Sequence, residues 1–163
     1  VQQARMTLWV TLTDVARPTR RTISIGTSSG NTVADIDIPP GINDGDNVHY
    51  SGIGPGGIDL VINFRIHPDP RFQRQGPNLL IDLPVSVWDL ILGGEQQVRD
   101  VLNNILSVNI PSRTQPGTVL RLKGRGLIQR SGQVGDLLVR VQARIPDHIP
   151  AELLEHIKTF RGQ

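Results

Sequence analysis

The 163-residue chain has a hydrophobic fraction of 37%, enough to bury a core, and no cysteine, which excludes disulfides and cysteine-ligated zinc. Its formal net charge of +2 gives no argument for nucleic-acid binding. No apolar run approaches the roughly 18 residues that cross a bilayer, and no signal peptide is recognisable, so we expect a cytoplasmic protein. The 17 glycines and 12 prolines divide the chain into short segments, which favours an all-β fold.

Alternating apolar residues predict short strands through the first half of the chain. The opening segment places Met6, Leu8, Val10 and Leu12 on one face, which is typical of a half-buried strand. A second segment places Ile23 and Ile25 together in the same way. Strands are predicted at residues 5–12, 21–25, 33–38, 48–50 and 57–66, with turns at residues 28–31 and 43–45 between them.

The second half is predicted to continue in strands and to end in a helix. Strands are expected at residues 79–87, 98–102, 105–110, 119–122 and 136–141, with a hairpin turn at Asn103-Asn104. Only the last segment, at about residues 150–160, is predicted to be helical. Its apolar face consists of Leu153, Leu154, Ile157 and Phe160.

An internal repeat is the most informative feature of the sequence. Ile38-Pro39 with Gly45, Val48 and Tyr50 returns later as Ile110-Pro111 with Gly117, Leu120 and Leu122. The ordered series predicts an all-β fold of two tandem β-sandwich-like domains, residues 1–74 and 75–163, followed by the amphipathic helix. The two domains are expected to meet near residues 70–77.

Two short motifs that elsewhere mark chemistry lack their structural context here. Gly52, Gly54 and Gly57 have the G-x-G-x-x-G spacing of dinucleotide sites, but the next residues predict a strand where such sites require a helix. His67-Pro68-Asp69 is the signature of J-domains, where it lies between two helices. Here it follows a predicted strand and precedes Pro70, so we interpret it as part of a linker.

No residue set predicts catalysis, a metal or a cofactor. The histidines are not spaced as zinc ligands. Asp35 and Asp37 share one strand face, whereas a glycosidase needs two carboxylates across a cleft. We therefore expect a protein that is not an enzyme.

Several motifs resemble the C-terminal region of DnaJ-type co-chaperones. The run IHPDPRFQRQGPNL, residues 66–79, is similar to the linker between their two C-terminal domains. IPPGINDG at residues 38–45 is similar to a first-domain motif, and RLKGRG at residues 121–126 with GDL at residues 135–137 to second-domain motifs. Because no Cys-x-x-Cys-x-Gly repeat is present, the chain resembles the class without the zinc-finger domain.

The resemblance implies two β-domains, a C-terminal dimerisation helix and a shallow hydrophobic cleft on the first domain that holds non-native polypeptide. It places six residues on the cleft: Met6, Leu8, Arg21, Ile23, Ile25 and Phe72. It implies homodimerisation through Leu153, Leu154, Ile157 and Phe160. It also implies unfolded clients and a DnaK-type chaperone, including its C-terminal tail, as partners of the full-length protein, and leaves DNA binding by that protein open.

Two alternatives come from other functional classes. A carbohydrate-binding β-sandwich module needs exposed aromatic platforms, and the chain has only two tryptophans, one tyrosine and three phenylalanines. A structural protein built from repeated β-domains would use the same grooves as subunit contacts.

Overall fold

The computed structural model of the chain describes residues 3–27 and 30–162. The predicted turn at residues 28–31 therefore lies partly outside the described residues. The first half contains β1 (Gln3–Val10), α1 (Leu12–Ala16), β2 (Thr19–Thr27), β3 (Gly30–Ile38), β4 (Asn47–Tyr50) and β5 (Asp59–Ile66). The second contains β6 (Gln73–Gln75), β7 (Asn78–Ser86), α2 (Val87–Leu92), β8 (Gly94–Arg99), β9 (Ile105–Ile110), β10 (Val119–Leu122), β11 (Leu137–Arg144) and α3 (Ala151–Arg161). The all-β fold with a C-terminal helix is confirmed.

The strand pairing repeats in the two halves. In the first half, β1 runs parallel to β5, with Gln3 opposite Asp59 and Val10 opposite Ile66. In the second half, β7 runs parallel to β11, with Leu79 opposite Leu137 and Ser86 opposite Arg144. Each half adds an antiparallel strand to this pair, β4 or β10, and carries a separate two-stranded ribbon, β2–β3 or β8–β9.

The parallel pairs supply the centre of the core. On β5, every second residue is fully buried, namely Leu60, Ile62 and Phe64. The corresponding residues of β11 are Leu137, Val139 and Val141, and they are equally buried. This period of two matches a strand with one face on the core. The buried side chains of both halves form one continuous apolar cluster.

Two short helices depart from the expectation that only the C-terminal segment is helical, and that expectation is wrong. Leu12, assigned to the first strand, instead opens α1. Thr11 caps this helix, because its hydroxyl accepts a hydrogen bond from Asp14 N (3.1 Å) and the Asp14 carboxylate accepts one from Thr11 N (2.8 Å). Ser86 caps α2 in the corresponding place.

The glycine-rich segments close turns onto the last strand of each half. Gly52 N donates to the Asp59 carboxylate at 3.0 Å, and Gly124 N donates to that of Asp136 at 2.9 Å. These contacts hold the pKa of Asp136 below its usual value, the Gly124 N–H being the main cause and the Arg121 guanidinium the next. Because β5 and not a helix follows Gly57, the dinucleotide interpretation fails.

The two halves are joined by hydrogen bonds from α1 to residues 124–130, which we call the junction loop. Arg17 Nη1 donates to Gly126 O at 2.9 Å, and Ile128 N donates to Ala16 O at 3.0 Å. Gly41 packs on the same loop in a left-handed conformation (φ +73°), and a Cβ there would lie 3.2 Å from Ile128 O. The domain boundary between residues 74 and 75 stays a prediction.

We expect replacement of Arg17 to weaken this junction. Arg17→Ala leaves the carbonyl of the buried Gly126 without its charged donor, so the free energy of unfolding should fall by about 1.5–3 kcal/mol in urea titrations. Arg20→Ala is the matched control, because Arg20 makes only an exposed ion pair with Asp37 (3.1 Å) and should cost less than about 1 kcal/mol. Equal losses in the two variants would contradict the assigned role of Arg17.

Candidate functional site

Strand β1 presents the first part of the predicted cleft. Its alternation leaves Met6 and Leu8 half-buried and packed against the core cluster, while Arg5 and Thr7 are exposed. β1 pairs with β5 along one edge and is the last strand of its sheet, so its other edge has no strand partner in the described part of the chain. Apolar side chains and unused backbone hydrogen-bonding groups therefore occur on the same strand.

Strand β2 carries three further residues predicted for the cleft. It pairs with β3 alone among the described strands, so it too has one open edge. Arg21 and Ile25 are half-buried, but Ile23 is only 5% exposed and belongs to the core. The family resemblance placed Ile23 on an open cleft wall, whereas the structure leaves only Arg21 and Ile25 of the three predicted residues partly exposed.

The guanidinium of Arg21 is fixed beside the cleft residues by α1. Its Nη1 lies 3.3 Å from the Asp14 carboxylate, and both side chains remain partly exposed, at 37% and 26%. Asp14 is already held by Thr11 N, so the α1 capping box also anchors the arginine. The result is one cation at the border of an apolar strand face.

Phe72 follows β5 and, like Ile23, is almost completely buried. It is 9% exposed and belongs to the same core cluster, and the Arg71 guanidinium lies 4.8 Å from its ring centroid. A cavity of about 290 Å³ adjoins it, and the predicted strand residues do not line this cavity. Its lining includes Leu12, Ile66, His67, Pro68 and Asp69.

Sequence reasoning missed these neighbours of Phe72. Leu12 was hidden because the segment was read as one continuous strand. Trp9 was also missed, although its ring is stacked on His67 (centroids 4.7 Å apart) and lies 4.9 Å from the Arg65 guanidinium. A strand alternation assigns Trp9 to the outer face but gives no indication of these ring contacts.

The second half does not reproduce the open apolar ribbon of the first. Val98, which corresponds to Ile23, is buried in the same way. At the position of Ile25, however, stands Asp100, which is 1% exposed. Its carboxylate accepts hydrogen bonds from Leu102 N (3.0 Å) and Asn104 N (2.8 Å), so it closes the β8–β9 turn.

The edge of β7 is also partly covered. The short strand β6 pairs with the beginning of β7 through residues 78–80, whereas the described part of the chain places no strand on the corresponding edge of β1. In the second half, the counterpart of β1 therefore has a partly covered edge, and the counterpart of Ile25 is a buried carboxylate.

The residues predicted for dimerisation lie on α3 as a stripe with no cover. Leu153 is half-buried, Leu154 and Ile157 are each 40% exposed, and Phe160 is 72% exposed. Lys158 and Glu155 form an ion pair on another part of the helix surface (3.1 Å). In proteins, a short helix gains most of its stability from packing of such an apolar face.

Other groups considered from the sequence have ordinary structural roles. Asp35 and Asp37 pair across the ribbon with Thr22 and Arg20. His49 contacts Asp59 at 3.0 Å. Among residues 3–27 and 30–162, no group of three or more His, Asp or Glu side chains is placed to hold a metal ion, and no helix there is long and apolar enough to cross a membrane.

Comparison with known proteins identifies the architecture. Residues 4–146 match the family described as the DnaJ C terminal domain. The chaperone protein DnaJ 1 of Mycobacterium tuberculosis is 33% identical over 83% of this chain and 35% of its own length. The DnaJ of Thermotoga maritima is 38% identical and that of Thermosynechococcus vestitus 39% identical, each over 78% of this chain and 37% of the relative.

The chain thus spans about a third of the length of these relatives. The family match covers most of the chain, including both repeats and the segment between them. The chain belongs to the DnaJ C-terminal domain family.

Proposed function

We propose that this chain is the client-binding part of a co-chaperone, and that it holds unfolded or non-native polypeptide on the open strands β1 and β2. The observation that carries the proposal is the combination of half-buried Met6, Leu8 and Ile25 with one unpaired edge on each strand. An extended client can add backbone hydrogen bonds to such an edge while its side chains contact the apolar residues. The client is bound non-covalently, and no catalysis is involved.

The binding is expected to be weak at a single site. Burying one or two large apolar client side chains supplies about 1.5–3 kcal/mol each, and ordering the client offsets much of this. We therefore expect a dissociation constant in the micromolar range, on the order of 1–100 µM. Weak capture of many segments suits a protein that must release its clients.

Two further partners belong to the proposal for the full-length protein. We propose that it passes clients to a DnaK-type chaperone of the cytoplasm, as the DnaJ names of the relatives suggest. Arg21, held at the border of the apolar strands, supports an additional contact with the acidic C-terminal tail of that chaperone. The tail and a client would then compete for neighbouring surfaces.

We also propose that α3 joins two copies of the chain through Leu153, Leu154, Ile157 and Phe160. The support is their exposure on a helix whose face no described residue covers. A dimer presents two client sites to one unfolded chain, and the second binding event becomes intramolecular, which strengthens capture without new contacts.

Ile25→Asp should weaken client binding and leave the fold intact. Ile25 is half-buried, so a carboxylate there stays hydrated in the free protein but opposes burial of an apolar client residue. We expect at least a ~10-fold higher dissociation constant for a fluorescent, reduced and carboxymethylated protein, measured by anisotropy. Val33→Asp, on the outer face of β3 (66% exposed), is the matched control and should bind normally.

An Ile25→Asp protein that unfolds at the wild-type temperature and still binds the denatured protein as tightly as Val33→Asp contradicts the site. Ile23→Asp is unsuitable for this test, because a charge at a position 5% exposed is expected to unfold the first half.

Removal of residues 151–163 should convert the dimer into a monomer. The truncation takes away the whole apolar stripe and leaves β11, which ends at Arg144, unchanged. Sedimentation equilibrium should then give the mass of one chain across the micromolar range. A truncated protein that retains the mass of two chains refutes the role of α3.

A further inference from the structure

The internal repeat pairs the end of α1 with the end of α2. Thr11 and Ser86 cap the two helices, and each helix leads after a short connection into a ribbon strand, β2 or β8. Counted from the caps, Ala16 corresponds to Ile91 and Arg17 to Leu92. The two helix ends thus occupy equivalent positions in the two repeats of this chain.

The end of α1 is covered by the chain itself. Ala16 is completely buried, and its carbonyl accepts a hydrogen bond from Ile128 N of the junction loop (3.0 Å). Arg17 binds the same loop through Gly126 O. The backbone of Gly41 packs directly against the backbone of the loop, because glycine has no side chain to keep the two apart. In the first half, this surface is an interface.

The end of α2 carries larger side chains, which stay exposed although the Ile91 carbonyl accepts a hydrogen bond from Arg113 N (3.0 Å). Ile91 is 53% exposed and Leu92 is 77% exposed. The position of Gly41 is taken by Arg113, an exposed residue that shares its left-handed backbone (φ +59°). We call Ile91, Leu92 and Arg113 the α2 patch. The side chains of Ile91 and Leu92 present an apolar surface, and Arg113, whose N–H binds the Ile91 carbonyl, adds a cation beside it.

We propose that the α2 patch receives helix α3 of a second copy of this chain. This inference rests on the proposed dimer and names the surface on which its helix docks. The exposed stripe of α3 supplies the apolar counterpart of Ile91 and Leu92, and Glu152 in its first turn supplies an acidic counterpart for Arg113.

The position of α3 in the fold supports the same occupant. Arg144, the last residue of β11, pairs with Ser86, the cap of α2, so the segment that leads to α3 leaves from the end of the molecule that carries α2. The chain's own α3 leaves the patch exposed. Two copies related by a twofold axis can exchange their helices, each stripe covering the other copy's patch, as closed symmetry requires.

Leu92→Asp should therefore weaken self-association by at least about tenfold in sedimentation equilibrium of the full chain. The matched control is Ile105→Asp, because Ile105 is similarly exposed (56%) but pairs with Arg99 at the end of the β8–β9 ribbon away from α2. The control should leave the dimer constant unchanged. Equal dimer constants for Leu92→Asp, Ile105→Asp and the unmodified chain overturn the docking surface.

Cross-linking provides a second test that does not depend on the stability of the Leu92→Asp variant. The chain contains no cysteine, so Leu92→Cys and Ile157→Cys can be made as separate single variants and mixed under oxidation. We expect a disulfide-linked species of two chains that contains one copy of each variant. Cross-linking of Ile157→Cys only to itself would instead show a helix pair and overturn the proposal.

The two levels of the account fail in different ways. If the protein lacking residues 151–163 is monomeric while Leu92→Asp remains dimeric, the dimer helix stands and the α2 patch does not. If the truncated protein remains dimeric, both the helix and its docking surface are refuted.

Discussion

The parallel pairing of β1 with β5 and of β7 with β11 is the constraint on which the rest of the structure depends. It buries the central residues of β5 and β11 and leaves β1 as the last strand of its sheet. Because β2 and β3 form a separate ribbon, β1 does not acquire a second neighbour among the described strands. The unpaired edge of β1 follows from this arrangement, in which the β2–β3 ribbon stays separate from the sheet that contains β1.

Divergence between the two repeats gives the halves different surfaces. Ile25 in the first half is replaced by the turn-closing Asp100 in the second, which removes an apolar contact and shortens the ribbon. In the opposite direction, the buried Ala16 is replaced by the exposed Ile91. One half has apolar strands with open edges, which we propose bind a client, and the other exposes an apolar helix end, which we propose binds a second copy. A few substitutions at equivalent positions account for both surfaces.

The sequence predicted the architecture because repeat and alternation are both properties of residue order. The strand at residues 119–122 and the end of the strand at Ile38 agree with β10 and β3. Helix α1 was missed because five residues are too few for a helical period, although the Thr11-x-x-Asp14 capping box was a usable signal. The short strand β6 was missed because its three residues are too few to show a strand alternation.

The depth of the candidate site could not be predicted in the same way. Alternation states which face a residue occupies, but tertiary packing decides how much of that face is covered. Ile23 and Ile25 have the same pattern, yet only Ile23 is sealed into the core. The role of Asp100 was not predicted either. Its buried carboxylate accepts hydrogen bonds from backbone N–H groups, and the spacing of residues in the sequence does not identify those groups.

Amide hydrogen exchange in the presence of a saturating unfolded client tests the central claim most directly, because it reports backbone protection strand by strand. Capture on the open edges predicts slower exchange in residues 3–10 and 19–27, and unchanged exchange in residues 94–110. Protection that appears in residues 94–110 while β1 and β2 exchange as in the free protein would contradict the account.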